Sequence, residues 1–368
     1  MVQKRVTIIF GTRPEVIKLA PIILRLQKSK QVVTRIILTG QHKELVDDVM
    51  QLFSISPDMN LNIMKKFQSL EGMTSLILKG LTKEFNDFPP DLVVVQGDTT
   101  SAFASALAAF YEKIPIAHVE AGLRTNDLFN PFPEEANRRL ISRIATLHFA
   151  PTQISKLNLK DSGISDGIEI TGNTVIDSLL LMKDKIGNSF LKKFKLKKNK
   201  FILCTFHRRE NWGENLSSII EGVSDILLNY PELKVLIPLH PNQIVREKIY
   251  NSLKKFPNAV LIDPLRYDNF VEAIKNCFLV ITDSGGLQEE APALGKPVLV
   301  VRNTTERIEA IKAGTAKLIG TNRKDIFENV EELIKNKNAY QSMAKAVNPY
   351  GDGFASLKIL NSILEYLN

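Results

Sequence analysis

Three apolar runs in the first half of the chain end in residues that can do chemistry. Val6-Thr7-Ile8-Ile9-Phe10 runs into Gly11-Thr12-Arg13, Leu92-Val93-Val94-Val95 into Gln96-Gly97-Asp98, and Ile116-Ala117-His118-Val119 into Glu120. Parallel strands would bring these ends to one rim of one sheet, and in open α/β sheets that rim binds ligands. One cation and two carboxylates there suit acid/base chemistry on an anionic substrate.

Each position has a plain reading beside the chemical one. Gly11 permits a tight turn, and Pro14 suits the first turn of a helix. A helix starting there would aim free N–H groups at an anion, with Arg13 as a fork-shaped donor and Lys18 about one turn on; it could equally be a generic strand–helix turn. Asp98 could cap the helix that follows. Glu120 is neither an obvious cap nor plainly solvated. Glu134 falls in the first turn of a helix, a common place for a structural acid.

The second half offers a complementary set. His207 follows one apolar run and His240 another, and Asp283-Ser284-Gly285-Gly286 follows a third. A Ser-Gly-Gly turn opening a helix can cradle a diphosphate. Glu290, further along that helix, could accept hydrogen bonds from a ribose or simply face solvent.

Positioning these residues requires strands alternating with amphipathic helices, which is the pattern along the whole chain. Expected strands are 6–10, 33–38, 92–95, 116–119 and 147–150, then 201–205, 234–238, 259–262, 279–282 and 298–301, with a short addition at 318–320. Expected helices are 14–26, 43–53, 70–85, 100–112 and 133–143, then 215–228, 244–255, 267–276, 287–293 and 355–367. The fold class is therefore α/β, with two Rossmann-like doubly wound domains facing a central cleft. The expected domains are 1–170 plus 354–368, and 171–353.

At 368 residues the chain suits two domains rather than one core. Its 44% hydrophobic and 24% charged content is that of a globular protein, and its formal charge is +8. The Lys-rich run 192–200 supplies much of that excess and is expected to be a solvated loop, not a nucleic-acid patch. Two cysteines in apolar runs argue against a disulfide framework. Scattered histidines disfavour a metal site. The absence of GxGxxG, GxxxxGK and GxSxG spacings argues against NAD, a P-loop and a serine hydrolase. No signal peptide or membrane-spanning run is seen, so a cytoplasmic location is expected.

Taken together, the motifs resemble the non-hydrolysing UDP-N-acetylglucosamine 2-epimerases. The likeness is carried by Gly11-Thr12-Arg13-Pro14-Glu15-Val16-Ile17-Lys18, Gly97-Asp98-Thr99-Thr100 and His118-Val119-Glu120-Ala121-Gly122-Leu123-Arg124. It continues through Pro133-Glu134-Glu135-Ala136-Asn137-Arg138, Gly172-Asn173-Thr174-Val175-Ile176-Asp177, His207-Arg208-Arg209-Glu210-Asn211, Asp283-Ser284-Gly285-Gly286 and Asn348-Pro349-Tyr350-Gly351-Asp352-Gly353.

The resemblance implies the two-domain fold shared with many nucleotide-sugar glycosyltransferases. It implies interconversion of UDP-GlcNAc and UDP-ManNAc through 2-acetamidoglucal, feeding cell-surface polysaccharide, with no cofactor and no metal. It assigns Asp98, Glu120 and Glu134 as acid/base residues and His207 as the phosphate-side catalytic residue. Arg13 and Lys18 assist binding and closure, Ser284, Gly285 and Gly286 hold the diphosphate, and Glu290 holds the ribose. A homodimer is expected from the family alone. Departures include Ile308, where the family usually has proline, and the places that bind a second UDP-GlcNAc in some members, which read Gln41-His42-Lys43-Glu44 and Phe67-Gln68. Alternatives are a related UDP-sugar as substrate, a hydrolysing epimerase, a glycosyltransferase on the same fold and a non-catalytic nucleotide-sugar sensor.

Overall fold

The computed structural model describes residues 3–41, 44–64, 69–125 and 127–368, with the side chains of Glu44, Leu45 and Arg209 outside that description. His42, Lys43, Phe67 and Gln68, expected at the activator positions, also lie outside the described residues. The chain forms two compact units, Met1–Leu180 with Tyr350–Asn368, and Leu181–Pro349.

The first unit holds strands β1 (Lys4–Phe10), β2 (Val32–Leu38), β3 (Met59–Asn60), β4 (Leu92–Gln96), β5 (Ile116–Val119), β6 (Leu147–Ala150) and β7 (Ile168–Ile170). They form one parallel sheet in the order β3-β2-β1-β4-β5-β6-β7. The second unit holds β8 (Phe201–Thr205), β9 (Lys234–Pro238), β10 (Ala259–Ile262), β11 (Val280–Thr282), β12 (Val298–Val300) and β13 (Ala316–Leu318). These are parallel in the order β10-β9-β8-β11-β12-β13. Both are doubly wound α/β sheets.

Burial on both faces explains the unbroken apolar runs. Every residue of β4 is buried, and Ile8, Ile9 and Phe10 of β1 are at most 1% exposed. Each such side chain contributes about 1.5–3 kcal/mol. The helix Thr100–Tyr111 reads TSAFASALAAFY, and its buried face is mostly alanine and serine, so its backbone can lie close to its neighbours.

In each sheet the winding reverses between two central strands, β1 and β4 in the first, β8 and β11 in the second. Loops leaving those strands diverge and open a crevice at the carboxyl ends. The loops in question are Gly11–Arg13, Gly97–Thr99, Phe206–Arg208 and Asp283–Ser284, which carry most of the candidate residues.

Several expectations are corrected. The first unit runs past the expected boundary at 170, because helix Thr174–Lys183 is tied to it. Its Ser178 hydroxyl donates to the Ile17 carbonyl, and its buried Asp177 accepts from Ala355 N (3.2 Å), Ser356 N (2.8 Å) and Ser356 Oγ (2.5 Å). The Lys-rich run is not simply a solvated loop: helix Ser189–Lys193 occupies its start, and Phe190, Leu191 and Leu196 anchor it in the core. The last short strand lies at Ala316–Leu318 rather than 318–320, in register with Val298–Val300. Edge strands β3 and β7 and the helices Gln153–Asp161, Ile308–Ala313, Arg323–Lys335 and Lys337–Ala344 were not expected. Among the described residues no helix is long and apolar enough to cross a membrane.

Candidate active site

In the first unit the chemistry gathers where β1, β4 and β5 end. Gly97 turns the chain after β4 with φ 71°, a left-handed conformation that glycine takes without steric cost. Asp98 follows, and it does not cap the next helix. Thr99 does, its hydroxyl accepting from Ala102 N at 3.0 Å. Asp98 is left to pair with Arg138, Oδ2 to Nη2 at 2.5 Å, and keeps 24% of its side chain exposed. Burial pushes its carboxyl above the usual aspartate range; Arg138 and Lys18 pull it down, while Glu120 and Glu134 push it up.

Glu120 has φ 63°, in the left-handed region, where a non-glycine residue costs about 1–2 kcal/mol. Such strain concentrates at functional sites. The bend turns its carboxylate, 8% exposed, into a set of donors: Lys18 Nζ, Gln96 Nε2 and, at 3.2 Å, Asn173 Nδ2.

Glu134 opens helix Glu134–Ile144 behind Pro133, which sits at the cap position instead of inside the helix. Glu134 is half-buried, and its charge acts on Asp98. The next residue, Glu135, is structural. It is fully buried and holds Arg139 at 2.6 Å, Arg138 at 3.4 Å and Thr125 N at 3.0 Å.

Arg13 is half-buried at the first position of helix Arg13–Lys28. The expectation of free N–H groups there fails for Gly11 and Thr12. Both donate to buried Glu15, at 3.0 and 2.7 Å, and Glu15 also accepts from Thr99 Oγ1 at 2.8 Å. Gly11 is needed for closeness rather than for a turn. A Cβ there would lie 2.2 Å from Thr39 Oγ1 and 2.4 Å from Ser101 Oγ.

The second unit carries His207, Asp283, Ser284, Gly285, Gly286 and Glu290 together at its own reversal point. Asp283 is fully buried and accepts from the backbone N–H groups of His207 and Arg208 and from Asn211 Nδ2, each at 3.0 Å. It also meets His207 Nδ1 at 3.0 Å. Burial opposes its charge, but these donors outweigh it and hold the carboxyl below its ordinary value. Asp283 therefore fixes the Nδ1–H tautomer of an exposed imidazole and leaves Nε2 to act outward. His240 stands in the field of His207, and burial lowers its basicity.

Ser284 is the cap of helix Gly285–Ala293, so Gly285 and Gly286 are its first helical residues and not a preceding turn. First-turn N–H groups lack carbonyl partners within a helix and favour anions. Glu290, half-buried one turn on, has Oε1 3.2 Å from where a Cβ on Gly286 would stand, so both border one surface. Beneath Gly285 lies an ionic cluster. Glu306 accepts from Arg208 (2.9 Å) and Arg302 (2.7 Å), Arg302 also pairs with Glu210 (2.6 Å), and Arg307 pairs with Glu289 (2.5 Å). Burial opposes ionisation of Glu306, yet Arg307, Arg302 and Arg208 bring its carboxyl to about 2.

The residues missed among the candidates are Arg138, Gln96, Asn173 and Asp283. Two had a signal: Gln96 and Asp283 are polar endings of otherwise apolar buried strands. Arg138 and Asn173 stand in motifs that carry the family resemblance, but their pairing with Asp98 and Glu120 appears only with the tertiary contacts.

A family model described as UDP-N-acetylglucosamine 2-epimerase matches residues 24–364. UDP-N-acetylglucosamine 2-epimerase of Campylobacter jejuni is 46% identical over 99% of this chain and 98% of its own. The protein of that name from Escherichia coli K12 is 47% identical over 98% of each. The crystal structure of the Neisseria meningitidis UDP-GlcNAc 2-epimerase bound to UDP-GlcNAc has a TM-score of 0.91 at 47% identity, covering 98% of this chain and 100% of that one. A Staphylococcus aureus relative solved with UDP has a TM-score of 0.89 at 43% identity, covering 100% and 97%. The chain belongs to the UDP-N-acetylglucosamine 2-epimerase family.

Proposed function

We propose that the chain interconverts UDP-GlcNAc and UDP-ManNAc without net hydrolysis. The proton at C2 is not acidic, so a placed carboxylate removes it as the C1–O bond to UDP breaks. The C2–H electron pair becomes the C1–C2 double bond of 2-acetamidoglucal, and UDP departs with the C1–O pair. A proton returned to the opposite face of C2 and re-addition of UDP to C1 complete the inversion.

The observation that carries this reading is Asp98, a strand-end aspartate with a carboxyl pushed up, in the field of two more carboxylates and anchored by Arg138. A carboxyl held above its usual range can both take and return a proton. Asp98, Glu120 and Glu134 are the acid/base set. Lys18 anchors Glu120, and Arg13 serves the anionic part of the substrate. On the second unit His207 and the Ser284-Gly285-Gly286 helix start stabilise charge developing on departing UDP, and Glu290 receives the ribose hydroxyls. Bound UDP-GlcNAc and UDP in relatives support the substrate class. A homodimer working in the cytoplasm to supply ManNAc units for surface polysaccharide belongs to the same proposal.

The test is incubation with UDP-GlcNAc in D2O, followed by NMR. UDP-ManNAc deuterated at C2 is the expected product. Free ManNAc would mark a hydrolysing enzyme, and no turnover would overturn the reading for this sugar.

A further inference from the structure

The mechanism leaves His118 unused. It is fully buried in β5, and its Nε2 is 2.7 Å from the carbonyl oxygen of Gly97. A carbonyl needs a donor, so Nε2 carries the proton; Nδ1 is then an acceptor, and it is buried without a hydrogen-bond partner among the described residues. A lone buried acceptor is costly, yet the position is filled by histidine where valine or isoleucine would satisfy the strand.

The bond falls at a sensitive place. The Gly97 carbonyl belongs to the peptide plane before Asp98, and the Asp98 carbonyl to the plane after it. The second carbonyl accepts from Asn137 Nδ2 at 2.9 Å, with Asn137 7% exposed. Gly97 N donates to Val119 O at 3.0 Å, fixing the turn to β5. Two peptide planes meet at one Cα, so holding both fixes φ and ψ of Asp98 and the direction of its Cβ. Arg138 then fixes the carboxylate itself.

We propose that His118, with Asn137, is a positioning residue that sets the backbone of Asp98 and thereby aims its carboxylate. Sub-ångström placement is where proton-transfer sites gain or lose rate. The field around His118 agrees with a permanently neutral ring: burial, His148 and Arg124 oppose its protonation, outweighing Glu120 and the Gly97 carbonyl, and its pKa falls to about 3.

The proposal rests on Asp98 acting as the proposed acid/base residue, and its test separates the two claims. His118→Leu removes the donor at similar volume; His118→Gln returns an N–H at the reach of Nε2; Asn137→Ala releases the other plane in a helix that tolerates alanine. With UDP-GlcNAc in D2O, His118→Leu and Asn137→Ala are expected to lower kcat for C2 exchange by roughly tenfold to a hundredfold, with UDP affinity within about twofold of the parent. His118→Gln is expected to recover most of that loss. In parallel, the 13C carboxyl signal of Asp98 is titrated in each protein, with a shifted midpoint expected in His118→Leu and Asn137→Ala and the parent midpoint in His118→Gln. Unchanged exchange per folded molecule in His118→Leu and Asn137→Ala, or equal losses in His118→Leu and His118→Gln, would overturn the proposal. Should the parent itself not exchange, the functional reading fails, and the carboxyl titration decides the positioning claim.

Discussion

Mild acid should destabilise this protein through two buried histidines of adjacent strands. His118 is fully buried and His148 is 2% exposed, and the two are paired in register between β5 and β6. Burial is the main cause of both shifts, to about 3 for His118 and about 4 for His148. An unfolded histidine titrates near 6.5. Between pH 7 and pH 5 the unfolded chain takes up about three-quarters of a proton at each position, while the folded chain takes up almost none. Below 6.5 stability therefore falls by about 1.4 kcal/mol per pH unit per histidine. From pH 7 to pH 5 the loss is about 2 kcal/mol for each and about 4 kcal/mol for the pair. Other groups set the background. Glu15, Asp98 and Asp177 have raised carboxyls, so they add stability as pH falls through their folded values. Asp283 and Glu306 are held low, and the stability they lend is lost only at still lower pH. Variants isolate the histidines from that background. Urea unfolding followed by circular dichroism at pH 7 and pH 5 should show His118→Gln and His148→Gln each shedding about 2 kcal/mol of the pH-dependent loss. If both variants keep the full acid sensitivity of the parent, the two histidines are not its source.

Three further outcomes follow from the site and its supports. Asp98→Asn and Glu120→Gln should retain UDP binding by calorimetry and lose C2 deuterium exchange by at least about a hundredfold; a variant that keeps full exchange leaves the acid/base set. Asp283→Asn replaces the buried acceptor of the His207 turn with an amide and should cost about 3 kcal/mol in chemical denaturation, weakening UDP binding as well. Gly122→Ala combines φ +90° with a Cβ 2.2 Å from the Ser155 carbonyl oxygen, and should lower stability by about 2 kcal/mol or more.

What was legible in the sequence follows from physics that acts locally. Runs such as Leu92–Gln96 announce strands covered on both faces, and their polar endings fall at the carboxyl rim of the sheet. The ambiguity at Asp98 was also local, since Asp98 and Thr99 can each cap a helix, and only the Thr99 to Ala102 bond resolves it. What stayed hidden depends on distant partners. β3 is two residues long and exists because Ile37 and Leu38 offer a ladder. The Arg138 to Asp98 pair joins residues on a helix and a strand-end turn. The left-handed bend at Glu120 has no sequence signature, because glutamate is a poor choice for that conformation, and it is retained where Lys18, Gln96 and Asn173 converge.

The tie between Asp177 and the start of the last helix bears on the order of biosynthesis. Helix Ala355–Leu367 packs against helix Arg13–Lys28, and Arg25 Nε donates to Ser356 Oγ at 2.8 Å. The second unit is thus an insertion within the first, and every strand and helix it needs has been synthesised by Pro349. On the ribosome it can close its core while the first unit, though translated earlier, still waits for its final segment. Cutting the chain before Tyr350 should therefore damage the half that was made first and spare the half that was made second.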